Sequence, residues 1–218
     1  MRLSQQILDL LLPADCLFCE KPPSVLCEVC LSKFKNRSRA VQRAGLSGLA
    51  LCEFDAEVSL ALSAFKERGQ FAIARLLVDE LVSDKQLSQL LCFEADTIVA
   101  IASSKASFAK RGFSPAQIVA ATLGRRLGLP TLPNALALNR VTADQAALAV
   151  DGRATNLVGA MTCSTSVAGR RVLLVDDIVT TGASVTEAAR AVDEVGGRVV
   201  GFFAIAETLL RNCTPIEK

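Results

Sequence analysis

Apolar residues in the last third of the chain follow two different periodicities. Val172 to Val175 form a short continuous apolar run, which is too short for a helix and predicts a strand buried on both faces. After a loop, apolar residues between Val185 and Val195 recur about every 3.6 residues, as on one face of a helix. A second apolar strand is predicted over 198–204. This order predicts parallel strands joined by a right-handed crossover.

Similar patterns predict an α/β fold for the rest of the chain. We expect strands over 49–54 and 96–102, helices over 56–67, 71–82 and 115–127, and a short amphipathic helix at the N-terminus. We expect residues 33–43 to form a linker or a short helix, and residues 103–114 to form a polar, basic loop. The 218 residues, 51% of them hydrophobic, fit one α/β domain over 46–218 with a small module over 1–45.

Polar residues are concentrated where the strand over 172–175 ends. Asp176 and Asp177 end that strand, and the loop and helix start that follow contain Thr180, Thr181, Gly182, Ala183 and Ser184. Backbone N–H groups at a helix N-terminus, with hydroxyls and a glycine, can bind a phosphate. Carboxylates cannot bind phosphate, but they accept hydrogen bonds from a sugar diol. The segment therefore predicts a site for a ribose 5-phosphate compound at the carboxyl edge of the sheet.

Other interpretations of these acids require motifs that the chain lacks. A Walker-type nucleotide site needs a Gly-Lys-Ser/Thr sequence, and a dinucleotide fold needs G-x-G-x-x-G; neither occurs. A dehalogenase-type phosphatase has two acids separated by one residue, whereas these are adjacent. Two strand-end acids that only cap the next turn remain an alternative.

Four of the eight cysteines form a regular motif. Cys16, Cys19, Cys27 and Cys30 have the spacing C-x₂-C-x₇-C-x₂-C, which is typical of a structural Zn²⁺ site with four thiolate ligands. Disulfides or a redox pair are the alternatives, but we expect no secretory signal, and a redox pair would not need duplication. The chain contains no histidine, so all ligands of such a site must be thiolates.

Basic residues occur in two further segments. Lys105, Lys110 and Arg111 follow the strand over 96–102, where the sheet edge would place them beside the ligand, so they are candidates for binding a pyrophosphate. The sequence KFKNRSRAVQR, from Lys33 to Arg43, is either a patch facing nucleic acid or a solvated helix face. A net charge of +2 is too small to steer the whole molecule to nucleic acid. No apolar run approaches the ~18 residues of a membrane span, so we expect a soluble protein without membrane insertion.

The sequence VLLVDDIVTTGAS resembles the phosphoribosyl diphosphate (PRPP) binding motif of type I phosphoribosyltransferases. This resemblance implies that Asp176 and Asp177 contact the ribose hydroxyls, that Thr180 to Ser184 surround the 5-phosphate, and that Mg²⁺ binds with PRPP. It also implies a mostly parallel sheet flanked by helices.

Over nearly its full length the chain is similar to the ComF family of phosphoribosyltransferase-like competence proteins, which carry an N-terminal Cys₄ zinc module. Besides the cysteines and the PRPP motif, the matching features are Phe65-Lys66, Arg111 to Phe113, Arg140, Thr142 and Gln145, and Arg153 and Asn156. The resemblance implies a cytoplasmic bacterial protein that takes part in uptake or handling of single-stranded DNA during natural transformation, with other competence proteins as candidate partners.

Two departures from the family pattern fall beside the expected leaving-group site. Ala100-Ile101-Ala102 replaces Pro-Val-Pro, and Ser114-Pro115 replaces Asn-Gln. Asp176, Asp177, Lys105 and Arg111 are the candidate catalytic residues. Two hypotheses remain: a phosphoribosyltransferase with an unidentified acceptor, and a nucleic-acid-associated module with a regulatory or vestigial PRPP site. Because changes in these loops affect turnover more than ground-state binding, we expect PRPP binding with slow or absent transfer.

Overall fold

The computed structural model describes residues 15–22, 24–43, 45–82, 93–139 and 158–209 of the chain. The strands are β1 (Arg39–Arg43), β2 (Leu46–Glu53), β3 (Thr97–Ala100), β4 (Leu136–Leu138), β5 (Met161–Cys163), β6 (Arg171–Val179) and β7 (Arg198–Glu207). The helices are α1 (Glu28–Ser32), α2 (Ala56–Arg68), α3 (Phe71–Leu81), α4 (Lys105–Arg111), α5 (Pro115–Leu127) and α6 (Ala183–Glu194). None of the described helices is both long and apolar enough to span a bilayer.

A five-stranded sheet with the order β1-β2-β7-β6-β3 forms the centre of the molecule. Strands β2, β7, β6 and β3 run parallel to one another, and β1 pairs with β2 as an antiparallel edge strand. Strands β4 and β5 form a separate antiparallel pair. The expected mostly parallel α/β fold is therefore confirmed.

Strand β6 is apolar without interruption because both faces of the sheet are covered. Leu173 and Val175 pack into a core that includes residues of α2, α3 and α5. Val172 and Leu174 point to the other face and pack with the apolar side of α6. This two-sided burial places the carboxyl end of β6 between two helical layers.

Several element boundaries follow from local sequence signals. Helix α5 spans the predicted residues 115–127, with Pro115 in its first turn and Gly128 in a left-handed conformation after its end. Helix α2 begins after Asp55, whose carboxylate accepts a hydrogen bond from Val58 N at 2.9 Å.

Three local predictions were wrong. The last five residues of the segment 33–43 form strand β1, not a linker or helix, because they pair along β2. Much of the segment 103–114 forms helix α4, capped by Ser104, instead of a loop. Strand β6 continues through Asp176 and Asp177 to Val179, because β7 provides a hydrogen-bonding partner along that whole length.

The cysteine segment packs against the same core as the sheet. Cys16, Leu26, Cys30 and Phe34 are buried in the cluster that also contains residues of α2 and β6. The boundary at residue 45 stays a prediction, although β1, which precedes it, is a strand of the central sheet. The predicted N-terminal amphipathic helix and the family positions Arg140, Thr142, Gln145, Arg153 and Asn156 lie outside the described residues.

Candidate functional site

The two adjacent carboxylates lie near the end of β6 and have different surroundings. The Asp176 carboxylate accepts a hydrogen bond from Asp177 N at 2.8 Å, and the Asp177 carboxylate accepts one from Ile178 N at 2.8 Å. Burial, together with the neighbouring charge of Asp177, holds the pKa of Asp176 well above its ordinary value. The pair therefore has a strong electrostatic preference for a cation or a hydrogen-bond donor nearby.

Lys66 provides such a cation. Its ammonium Nζ lies 2.7 Å from Asp177 Oδ2, and the two side chains are only 18% and 15% exposed. Lys66 belongs to the last turn of α2, beside the buried Phe65. The sequence analysis noted this lysine only as a family feature and did not include it among the site residues. The signal available in the sequence was a lysine directly after an aromatic residue near the end of a predicted helix.

The loop after β6 has the features of an anion site. Gly182 has a φ of 89° and precedes the first residue of α6, Ala183. Thr181 Oγ1 accepts a hydrogen bond from Ala183 N at 3.3 Å. The first N–H groups of a helix have no acceptors within the helix. The loop and the start of α6 thus combine backbone donors with the Thr180, Thr181 and Ser184 hydroxyls, next to the two carboxylates.

The three basic candidates lie on α4, and two of them contact an acid. Lys110 Nζ and Arg111 Nη2 lie 2.8 Å and 3.0 Å from the Glu67 carboxylate. Glu67 is adjacent in sequence to Lys66, so the end of α2 contacts both Asp177 and helix α4. Lys105 is exposed and has no salt-bridge partner in the part of the chain that the structure describes. The structure therefore connects Arg111 to the acidic site through α2, but shows no such connection for Lys105 among the described residues.

The loop segments that contain the two departures from the family pattern contact each other near the end of β6. Ile101 N donates a hydrogen bond to Val175 O at 2.8 Å, which fixes the segment after β3 next to the end of β6. Ser114, the residue at the first of the Asn-Gln positions, is buried, and its hydroxyl lies 3.0 Å from that of Ser103. The Ser103 and Ser114 hydroxyls therefore form a hydrogen bond with each other.

The four cysteines of the predicted metal motif come together at the N-terminal side of the core. Their Sγ atoms all lie within 4.8 Å of one another. Tetrahedral Zn–S bonds of about 2.3 Å would separate the sulfurs by about 3.8 Å, so the cluster fits one such ion after small movements. Burial raises the pKa of Cys16, but hydrogen bonds from backbone N–H groups lower it overall to about 6. Burial and the neighbouring thiols raise the pKa of Cys30 to about 12.

The basic segment between the cysteines and β2 is largely neutralised by acids of the same chain. Lys33 contacts Glu57, Arg37 contacts Asp55 and Glu57, Arg39 contacts Glu53 and Glu207, and Arg43 contacts Glu207. Lys35 alone of the five cations has no acidic partner among the described residues. The segment therefore presents less free positive charge than its sequence indicates.

Comparisons with known proteins give a family match and several named relatives. A phosphoribosyl transferase domain model matches residues 75–215. DNA utilization protein YhgH of Escherichia coli is 30% identical over 147 residues, which cover 66% of this chain and 64% of that protein. Competence protein F of Haemophilus influenzae is 29% identical over 156 residues, or 68% of this chain and 67% of that protein. The adenine phosphoribosyltransferase structure from Thermoanaerobacter pseudethanolicus is 14% identical, with 81% of this chain and 99% of that chain covered and a TM-score of 0.38.

The chain belongs to the phosphoribosyl transferase domain family. Its relatives named DNA utilization protein YhgH and Competence protein F confirm the resemblance to the ComF family. The match spans slightly less than two thirds of the Escherichia coli protein.

Proposed function

We propose that the site binds PRPP or a related ribose 5-phosphate compound together with Mg²⁺. The observation that carries this proposal is the juxtaposition of Asp176 and Asp177 with the loop and helix start over 180–184. Carboxylates suit ribose hydroxyls, and helix N–H groups suit a phosphate. A ligand that contains a ribose diol and a phosphate at a fixed distance matches these adjacent acids and backbone donors better than a free sugar or a free phosphate does.

In this proposal, each polar group of the site has a separate role. The acids accept hydrogen bonds from the ribose diol, and Thr180 to Ser184 surround the 5-phosphate. Lys66 forms an ion pair with Asp177 Oδ2, so a ligand that binds this acid shares the carboxylate with the lysine or competes with it. Mg²⁺, which prefers oxygen ligands, would neutralise the pyrophosphate of PRPP.

We expect slow or absent transfer to an acceptor. Two of the basic groups available for a departing pyrophosphate, Lys110 and Arg111, are paired with Glu67, and the Ser103 and Ser114 hydroxyls contact each other. Transfer of a ribosyl group needs stabilisation of the leaving group more than tight binding of the ground state. An active phosphoribosyltransferase with an unidentified acceptor is the alternative, and release of pyrophosphate from PRPP distinguishes the two.

We further propose a cytoplasmic role in the uptake or handling of single-stranded DNA, with other competence proteins as partners. The names of the two relatives support this association. The cysteine cluster would bind one structural Zn²⁺, supported by the positions of the four sulfurs. The neutralised basic segment gives less support to direct DNA binding than to binding of a phosphoribosyl compound.

Calorimetric titration with PRPP, with and without Mg²⁺, tests the proposed ligand. Asp176→Asn and Asp177→Asn should each weaken binding at least about tenfold, because each removes a hydrogen bond to a charged acceptor worth roughly 1.5–3 kcal/mol. Asp193→Asn is a matched control, since Asp193 is an exposed acid near the other end of α6. No binding at millimolar PRPP, or equal losses in all three variants, would contradict the proposal.

A further inference from the structure

Arg43, the last residue of β1, is a buried cation that contacts the loop of the candidate phosphate site. Its side chain is 9% exposed. Nε donates a hydrogen bond to Thr180 O at 2.8 Å, and Nη2 donates to Glu207 Oε2 at 2.8 Å and to Thr208 O at 3.0 Å. Nη1 donates to Gln42 O at 2.9 Å. A single guanidinium thus joins the edge strand, the end of β7 and the loop after β6.

The aliphatic part of Arg43 also packs directly on Gly182. A Cβ atom added at residue 182 would lie 2.6 Å from Arg43 Cβ and 3.2 Å from Arg43 Cγ. Such a distance is well inside van der Waals contact, so only glycine fits beneath this side chain. Arg43 therefore contacts the loop twice, through a polar bond to Thr180 and through packing on Gly182.

The contact with Thr180 O determines the direction of a donor in the loop. In a trans peptide unit, the carbonyl of one residue and the N–H of the next point in opposite directions. When Thr180 O is held towards Arg43, the N–H of Thr181 must point away from Arg43. Arg43 thereby fixes the orientation of a backbone donor in the segment that would surround the phosphate.

We propose that Arg43 is a positioning residue that holds the Thr180–Gly182 backbone in the conformation needed for phosphate binding. The inference rests on the proposed function, because it assigns a role to Arg43 in the same site. Lysine cannot replace this role. The planar guanidinium reaches several acceptors in fixed directions, whereas an ammonium acts as a point charge and cannot reproduce that geometry.

The Arg43→Lys variant, compared with Arg39→Lys, tests the inference. Arg39 lies on the same strand and contacts the same Glu207, but no contact joins it to the loop among the described residues. We expect Arg43→Lys to weaken ribose 5-phosphate binding at least tenfold in calorimetry. It should also increase deuterium uptake in a peptide covering 179–186, without loss of metal content. Arg39→Lys should change both quantities less than twofold.

If Arg43 only neutralised Glu207, a lysine at this position would serve equally well. Unchanged ribose 5-phosphate binding and unchanged deuterium uptake in Arg43→Lys would therefore overturn the inference. In a second variant, Arg43→Ala, added ethylguanidinium should restore ribose 5-phosphate affinity and protection of the 179–186 peptide from deuterium uptake. Ethylammonium, which lacks the planar guanidinium, should restore neither. Equal rescue by both compounds would also overturn it. If the unmodified protein binds neither PRPP nor ribose 5-phosphate, the proposed function fails, and the uptake comparison still decides whether Arg43 holds the loop.

Discussion

Asp176 and Asp177 are neighbours in sequence, but among the described residues only Asp177 forms a salt bridge. Asp177 contacts the ammonium of Lys66, whereas Asp176 is held by a backbone hydrogen bond and has a raised pKa. A raised pKa means that removing the proton from Asp176 costs more free energy in the folded protein than in water. A bound cation or sugar diol would offset this cost, which makes Asp176 sensitive to both ligand and pH.

At the residue scale, we predict that PRPP and Mg²⁺ bind more weakly as the pH falls. The ionised carboxylate is the better acceptor and cation ligand, so affinity is lost as Asp176 becomes protonated. Because its pKa is raised, this loss should begin well above the ordinary pKa of 3.8. Calorimetry between pH 5 and pH 8, with Asp176→Asn as reference, measures the effect, since titration of the ligand phosphates is common to both proteins. Parallel pH profiles for the two proteins would contradict this prediction.

At the scale of elements, helix α2 connects the acids of β6 with the basic residues of α4. Lys66 contacts Asp177, and the next residue, Glu67, contacts Lys110 and Arg111. Those two cations lower the pKa of Glu67, which shows that the acid is stabilised in its charged form. The end of α2 thus forms ion pairs with an acid of β6 and with two cations of α4.

Replacing Glu67 by glutamine should release Lys110 and Arg111 for an anion. We predict that Glu67→Gln binds inorganic pyrophosphate at least a few-fold more tightly than the unmodified protein, with a steeper dependence on salt. Glu57→Gln is the control, because Glu57 lies in the first turn of the same helix and contacts Lys33 and Arg37 instead. Equal pyrophosphate affinity in the two variants would show that Lys110 and Arg111 do not take part.

The cysteine segment gives a second prediction at this scale. We expect about one Zn²⁺ per chain, and Cys27→Ser should lose it, because three thiolates and a hydroxyl do not form the closed site of a structural zinc. Cys163→Ser should retain the metal, since Cys163 lies on β5, outside the cluster. Metal analysis of the purified proteins decides the matter. Equal metal content in both variants, or no zinc in the unmodified protein, would refute the assignment.

At the scale of the whole molecule, the sequence predicts elements better than contacts between distant residues. Helix α5 could be placed correctly because Ser114-Pro115 and Gly128 are local signals of a helix start and end. The acids and the hydroxyl-rich loop could also be selected from sequence, since they are contiguous. The contact between Arg43 and Thr180 joins residues 137 positions apart, so no local pattern indicates it. Strand β1 forms by pairing with β2, and its segment was wrongly predicted as part of a linker or a short helix.

Long-range ion pairs change the expected salt dependence of single-stranded DNA binding. Single-strand binding has a log–log salt slope of about −0.7 per neutralised phosphate, so three to five free cations between Lys33 and Arg43 would give roughly −2 to −3.5. Because four of them contact acids, we predict weak binding with a slope near −0.7, the value for one phosphate. Titration of a short oligonucleotide at several salt concentrations measures the slope. A slope near −3.5 would mean that these ion pairs open when DNA binds.

Mapping amide chemical shifts during titration with PRPP and Mg²⁺ tests the central claim most directly, because it reports where the ligand binds as well as whether it binds. The account predicts saturable shifts concentrated at residues 176–184 and in the last turn of α2, which contains Lys66. Asp176→Asn should reduce these shifts at equal ligand concentration. Absence of shifts at millimolar PRPP, or shifts confined to the segment between Lys33 and Arg43, would contradict the assignment of a phosphoribosyl site to the carboxyl end of β6.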